Sequence, residues 1–326
     1  MTVIIKINPA RPEPAKIAAA ARIIKSGGTV VFPTETVYGL GADATNSRAV
    51  RKIYKAKGRP SDNPMIIHIA RIEDIFNLSV DVPQKAIALA KKFWPGPLTI
   101  VLKKSSIISK EATAGLDTVG IRMPSHVIAS ALIKAAGVPI AAPSANISGR
   151  PSPTKAEHAI EDLNGKVDMI IDGGPVSVGI ESTVIDLSGP PALLRPGKIT
   201  LEEMERLIGK IKVHASIMSP RIRTIAKSPG MKYRHYSPRA KVILITGEDA
   251  PRRTLELSKQ YGKSGKKIFT INENNKEKLA KTVFGKFREA DINNADMIIV
   301  KGVDESGIGL AVMNRLKKAA TKIIRT

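Results

Sequence analysis

Lys57-Gly58-Arg59 places two cations around a glycine, just before Pro60 and close to Asn63 and His68. Such a pair can screen phosphate charge while Gly58 lets the backbone approach a ligand. The same cations would equally suit the C-terminal end of the helix that precedes them. Arg122 closes an otherwise apolar run, Val119 to Arg122, where an unpaired charge would be costly. A guanidinium there is a natural bidentate partner for a ligand carboxylate, which we favour over a structural ion pair. His68 sits in an apolar stretch, where a satisfied core imidazole is the commoner outcome and its neighbours argue for a ligand.

Three further segments put hydroxyls or cations beside glycine turns: Ala141–Gly149, Gly179–Asp186 and Leu194–Gly197. The first is a small-residue loop able to cradle phosphate with its N–H groups, or else a plain strand-to-helix connection with Thr154 as N-cap. A fourth, Phe32–Gly41, follows the strand-like run Thr29–Phe32 and offers hydroxyls, a carboxylate and two glycines at that strand's end. It reads either as a polar turn or as part of the ligand crevice of an open α/β sheet. These groups are rich in cations and hydroxyls and poor in general bases. They suit positioning and charge neutralisation better than covalent catalysis. No G-x-x-x-x-G-K-[ST] or G-x-S-x-G pattern occurs.

Positioning such tips requires a sheet with helices packed on it. Helices are expected over Pro14–Ser26, Ser47–Ala56, Gln84–Phe93 and Leu201–Ile208. Strands are expected at Met65–Ile69, Leu98–Leu102, Val119–Arg122, Ile140–Ala142, Met169–Ile171 and Thr183–Leu187. That is α/β, with too many strands for a simple doubly wound unit, so a mixed, twisted sheet is expected. Ser216–Arg239 has little period and many Pro, Arg and Lys, and reads as a linker. Beyond it, strands at Val242–Ile245, Ile268–Ile271 and Met297–Val300 alternate with helices at Pro251–Tyr261, Lys276–Phe287 and Ile308–Ile323. Three βα units suggest a small Rossmann-like domain. It lacks G-x-G-x-x-G after its first strand, so no dinucleotide site is expected there.

Composition narrows the classes. The 326 residues suffice for two domains, and 52 Lys and Arg against 29 Asp and Glu give a formal net charge of +23. That excess favours polyanionic partners, nucleotide or nucleic acid. Aromatics at 4% argue against a base-stacking single-strand binder. With no cysteine, disulfides, thiolate nucleophiles and cysteine metal sites are excluded. The His residues show no metal-ligand spacing. Apolar runs fall far short of a membrane span, and no secretory leader is evident, so a cytoplasmic protein without membrane association is expected.

Taken together, Pro33–Gly41, Lys57 with Arg59, Asn63 with His68, Gly120–Pro124, Pro143–Gly149, Ser182–Asp186 and Arg195–Gly197 resemble the threonylcarbamoyl-AMP synthase family in its long two-domain form. Ser228–Pro238 resembles that family's linker, and Gly307–Leu316 its C-terminal domain. The resemblance covers nearly the whole chain. It implies an N-terminal twisted mixed-sheet YrdC-like catalytic domain over residues 1–212, a linker or lid over 213–239, and a C-terminal Rossmann-like α/β domain over 240–326. It also implies a nucleotidyl transfer: L-threonine, bicarbonate or CO2, and ATP with Mg2+ give threonylcarbamoyl-AMP and pyrophosphate. The product would pass to a separate transferase complex that modifies tRNA. Carried over residue by residue, Thr36, His68, Arg122, the Ala142 backbone and Ser182 would hold threonine. Arg59, Asn63, Thr118, Ser144, Asn146, Ser152 and Arg195 would hold ATP. Lys57 and Arg59 would screen phosphate charge during the reaction, and Tyr233 and His235 would close over the nucleotide. The competing expectation, carried by the basic excess, is an RNA-binding module without turnover, with weak tRNA contact also compatible with the enzyme.

Overall fold

A computed structural model describes residues 1–218 and 236–326. Tyr233 and His235 lie outside the described residues. In chain order, the first part runs β1 (Val3–Lys6), α1 (Pro14–Lys25), β2 (Val30–Pro33), β3 (Tyr38–Asp43), α2 (Ser47–Lys57), β4 (Ile66–His68), α3 (Ile75–Leu78), β5 (Ser79–Val80), α4 (Gln84–Phe93), β6 (Leu98–Lys104) and β7 (Thr118–Arg122). It continues with α5 (Val127–Ala136), β8 (Ile140–Ala141), α6 (Ala156–Leu163), β9 (Met169–Asp172), β10 (Thr183–Asp186), β11 (Ala192–Arg195), α7 (Leu201–Ile208), β12 (Lys212–Val213) and α8 (Ala215–Met218). The second part is β13 (Lys241–Thr246), α9 (Ala250–Lys263), β14 (Ile268–Ile271), α10 (Lys276–Ile292), β15 (Met297–Lys301), α11 (Ile308–Ala319) and β16 (Lys322–Arg325).

Among the described residues the first twelve strands form one mixed sheet, ordered β1-β9-β2-β3-β8-β4-β7-β6-β10-β11-β12 with β5 beside β6. Strands β2 and β3 make a hairpin whose register pairs Val30 with Gly41 and Pro33 with Tyr38. The segment from Pro33 is therefore less open than its composition suggests. Only residues 34–37 form the tip, because Thr34 Oγ1 donates to the Val37 carbonyl at 2.6 Å and turns the chain at once. Gly41 is required where it stands: a Cβ there would lie 2.7 Å from the Phe32 ring and from Ile140. Two apolar layers cover the sheet. One joins α1 and α5 to Val30, Phe32, Met169 and Ile171. The other joins α2, α4 and α6 to Val31, Leu40, Ile67 and Ile170. Neighbours in sequence point to opposite layers, as strand alternation demands. Lys155, not Thr154, precedes α6, and no side chain caps that helix.

The second sheet is parallel throughout, ordered β14-β15-β13-β16. Ile243 and Ile245 pack under α9, whereas Val242 and Leu244 pack under α10 and α11. The last helix stops at Ala319 instead of reaching Ile323, and Lys322–Arg325 adds a fourth strand against β13. The two sheets are tied across a shared core in which Val178 and Ile180 join the α10–α11 layer. Gly179, at φ +86°, brings its backbone so close to α10 that a Cβ would lie 2.3 Å from the Lys281 carbonyl. Arg288 of α10 is buried and reaches Asp162 at 2.8 Å, Glu161 at 3.3 Å and the Pro151 carbonyl at 2.7 Å. No described helix is long and apolar enough to cross a membrane.

Candidate functional site

The strand ends and loop tips of the large sheet converge on one cavity lined by Thr34, Thr36, Arg59, His68, Arg122, Ala142, Ser144, Glu181, Arg195 and Tyr236, with Val37, Gly39, Ile66 and Pro143 as apolar wall. Parallel pairing of β4 with β7 sets His68 beside Arg122 in register. Strand β8 delivers Ala142, whose N–H donates to the Ile66 carbonyl at 2.9 Å, and a bridge between Gly39 and Ser144 brings in the following loop. Gly58 ends α2 in the left-handed conformation, φ +57°, and so turns Arg59 inward. Antiparallel pairing of β10 with β11 places Arg195 opposite Val184, beside the Ser182 tip.

Each charged group has a defined support. Arg59 donates through Nη2 to the Pro64 carbonyl at 2.9 Å, and through Nε and Nη2 to the Asn63 carbonyl. Burial pulls its guanidinium down to about 10, which leaves it charged at neutral pH. Arg195 grips Ser182, with Nε on its carbonyl at 2.9 Å and Nη2 on its hydroxyl at 3.0 Å. Ser182 also bonds Thr99. Arg122 Nε reaches the Gly96 carbonyl at 3.3 Å, and Nη2 lies 2.8 Å from Glu35 Oε1. The structural ion pair is thus present alongside the pocket-facing position. Neither Arg122 Nη2 nor the Glu35 carboxylate is aligned for a hydrogen bond, so the charges are balanced while their directional bonding capacity is unspent.

Lys57 takes a different place from the one its spacing suggests. It is buried outside the cavity wall, and its Nζ donates to the carbonyls of Ser144 and Asn146. Burial, with Arg59 nearby, holds its amine well below the usual lysine range. It braces the Ser144–Asn146 loop. Asn63 likewise supports Arg59 through its backbone, and Asn146 spends its amide N–H groups on the Ile147 and Arg150 carbonyls. Ser152 donates to Glu181. Thr118 stands at the far end of β7 from Arg122, about 13 Å away by strand rise, and does not line this cavity. Ser182 lies behind Arg195, off the wall. Glu35, Glu181 and Tyr236 are the additions. All three lay inside segments whose types were legible, but the partners that give them meaning come from distant chain. Tyr236 holds a left-handed backbone, φ +68°, and its ring stacks on Phe284 of α10 with centroids 5.2 Å apart. A non-glycine residue keeps that conformation only where packing over-determines it.

Burial, then the charge of Arg122, pushes His68 down to about 3, so the ring is neutral at physiological pH. Its Nδ1 has no hydrogen-bond partner among the described residues. The unfolded chain, with an ordinary histidine near 6.5, takes up a proton across a range where the folded ring does not. Stability from this site is therefore whole above about pH 6.5 and falls as pH drops toward 3. Between pH 4 and 6, the slope of unfolding free energy against pH should be shallower in His68→Gln by up to about 1.4 kcal/mol per pH unit. Denaturant titrations of both proteins across that window measure it; equal slopes would mean that His68 does not carry the shift.

Comparison with known proteins places the chain in a family. A family model described as "Telomere recombination" matches residues 22–197, and one described as "Threonylcarbamoyl-AMP synthase, C-terminal domain" matches residues 199–321. The threonylcarbamoyl-AMP synthase of Pyrococcus abyssi is 50% identical over 98% of each chain. That of Bacillus subtilis is 46% identical over 94% of this chain and 93% of its own. The crystal structure of P. abyssi Sua5 complexed with L-threonine superposes with a TM-score of 0.95 at 49% identity, covering 100% of both chains. With both parts of the chain matched in order and the arginine-lined cavity in place, this chain belongs to the threonylcarbamoyl-AMP synthase family and is an enzyme of that kind.

Proposed function

We propose that the cavity seats L-threonine against the α-phosphate of ATP, and that the chain makes threonylcarbamoyl-AMP and pyrophosphate from these two and bicarbonate or CO2. The observation that carries this reading is the convergence of Arg59 from the turn after α2, Arg122 from the end of β7 and Arg195 from the end of β11 on one wall that also bears hydroxyls. The L-threonine held by the P. abyssi relative supports the same choice of amino acid.

The chemistry asks little of a protein nucleophile. The threonine amine, having lost a proton, adds to CO2 to give a carbamate. A carbamate oxygen then attacks the α-phosphorus, and pyrophosphate leaves with the electron pair of the broken P–O bond. Arg122 would hold the threonine carboxylate, with Thr36, neutral His68 and Ala142 beside it. Arg59 and Arg195 would offset charge on the phosphates, with Ser144 as a further hydroxyl contact. Mg2+ enters as part of the metal–nucleotide substrate. No cluster of three metal-ligating carboxylate or His side chains occurs among the described residues, so phosphate oxygens and water would be its main ligands. The product would feed N6-threonylcarbamoyladenosine formation in tRNA through a separate transferase complex.

Mass spectrometry of the nucleotide products tests the reading. Threonylcarbamoyl-AMP should appear only when L-threonine, bicarbonate and ATP are all present. RNA binding that weakens steeply with salt, without any new nucleotide product, would favour the non-catalytic alternative.

A further inference from the structure

Glu181 is the carboxylate on the cavity wall, and a buried anion there opposes any phosphate brought to Arg195. Its balance comes from the second sheet's part of the chain. Arg315 of α11, fully buried, donates through Nε to Glu181 Oε2 at 3.1 Å and through Nη1 to the Pro196 carbonyl at 2.5 Å. The other Glu181 oxygen accepts from Ser152. The Arg315 guanidinium also lies 5.8 Å above the Tyr236 ring. One side chain from α11 therefore touches three units of the wall: the Glu181 tip, the Arg195-Pro196 turn and Tyr236. Burial alone would raise the Glu181 carboxyl, but Arg315 and then Arg195 keep it below the usual range.

We propose that Arg315 is a positioning residue for nucleotide binding: it neutralises Glu181, so that the buried carboxylate does not oppose a phosphate brought to the wall beside Arg195. The C-terminal unit thereby supplies charge balance to the site. This rests on the nucleotide reading above.

Calorimetric titration of the full chain with ATP, and separately with L-threonine, tests it in four proteins: wild type, Arg315→Gln, Glu181→Gln and Glu181→Gln/Arg315→Gln. Arg315→Gln should weaken ATP binding about tenfold or more, with threonine affinity held within about twofold. In the Glu181→Gln background, where no carboxylate needs balancing, the same change should cost less than about threefold. An equal loss in both backgrounds would mean that Arg315 only fastens α11, and would overturn the proposal. So would wild-type ATP affinity in Arg315→Gln. If Arg315→Gln does not fold, the comparison within the Glu181→Gln background decides alone. Wild type that binds threonine but no ATP would bring down the nucleotide reading and this inference together, whereas the other failures touch only the inference.

Discussion

Replacing Arg122 by alanine is expected to raise the threonine concentration for half-maximal turnover by roughly 30- to 1,000-fold, with ATP half-saturation little changed. The size follows from losing a charge-assisted, forked contact inside a buried wall. The direction is sharpened by Glu35. That carboxylate is buried 2.8 Å from Arg122, so removing the guanidinium leaves an uncompensated anion where the threonine carboxylate should sit. Arg122→Lys keeps the charge that balances Glu35 but loses the fork. It should fold nearly as well as wild type and still lose much of its threonine affinity. Steady-state kinetics with threonine and ATP varied in turn separates the two substrates. A threonine dependence unchanged in both variants would remove Arg122 from the amino-acid pocket.

Lys57→Met should lower folding stability by about 3 kcal/mol and reduce kcat/KM for ATP at least a hundredfold. The side chain does not reach the cavity wall; it donates to the carbonyls of Ser144 and Asn146. Methionine fills much of the same volume but leaves both carbonyls without that donor. The Ser144 loop then loses the brace that fixes it against Gly39. Urea denaturation monitored alongside nucleotide kinetics tests the pairing of the two effects. Collapse of turnover with stability unmoved would instead return Lys57 to direct contact with phosphate.

Much of this organisation was legible in the residues themselves. Gln84–Phe93, Leu201–Ile208 and Ile268–Ile271 fall where their apolar period puts them. Such segments announce themselves because one local rule decides them. Strands β1, β11 and β12, and the uncapped helix α6, carry weak local signals and depend on partners far away. Val3–Lys6, for instance, is ordered by pairing with Met169–Asp172. The site divides in the same manner. Arg122 reads from sequence as a charge in an apolar strand because the cost of burying it is a local argument. Lys57 misleads because it and its neighbour Arg59 look alike in sequence, and only the fold buries one beneath the Ser144–Asn146 loop and turns the other to the cavity. Glu181 could not be valued before Arg315, more than a hundred residues onward, came beside it.

The grip of Arg288 on Asp162 and Glu161 has a meaning for how such a chain can change over generations. Shedding the C-terminal unit in a single truncation would leave the buried Asp162 without Arg288, held by Arg150 and the Ile147 N–H, before any benefit of brevity was felt. Viable shortening has to be preceded by replacement of those acids, each change unfavourable while Arg288 is still there. The appended unit is in that sense entrenched: once the front half had come to lean on it, the way back became longer than the way in.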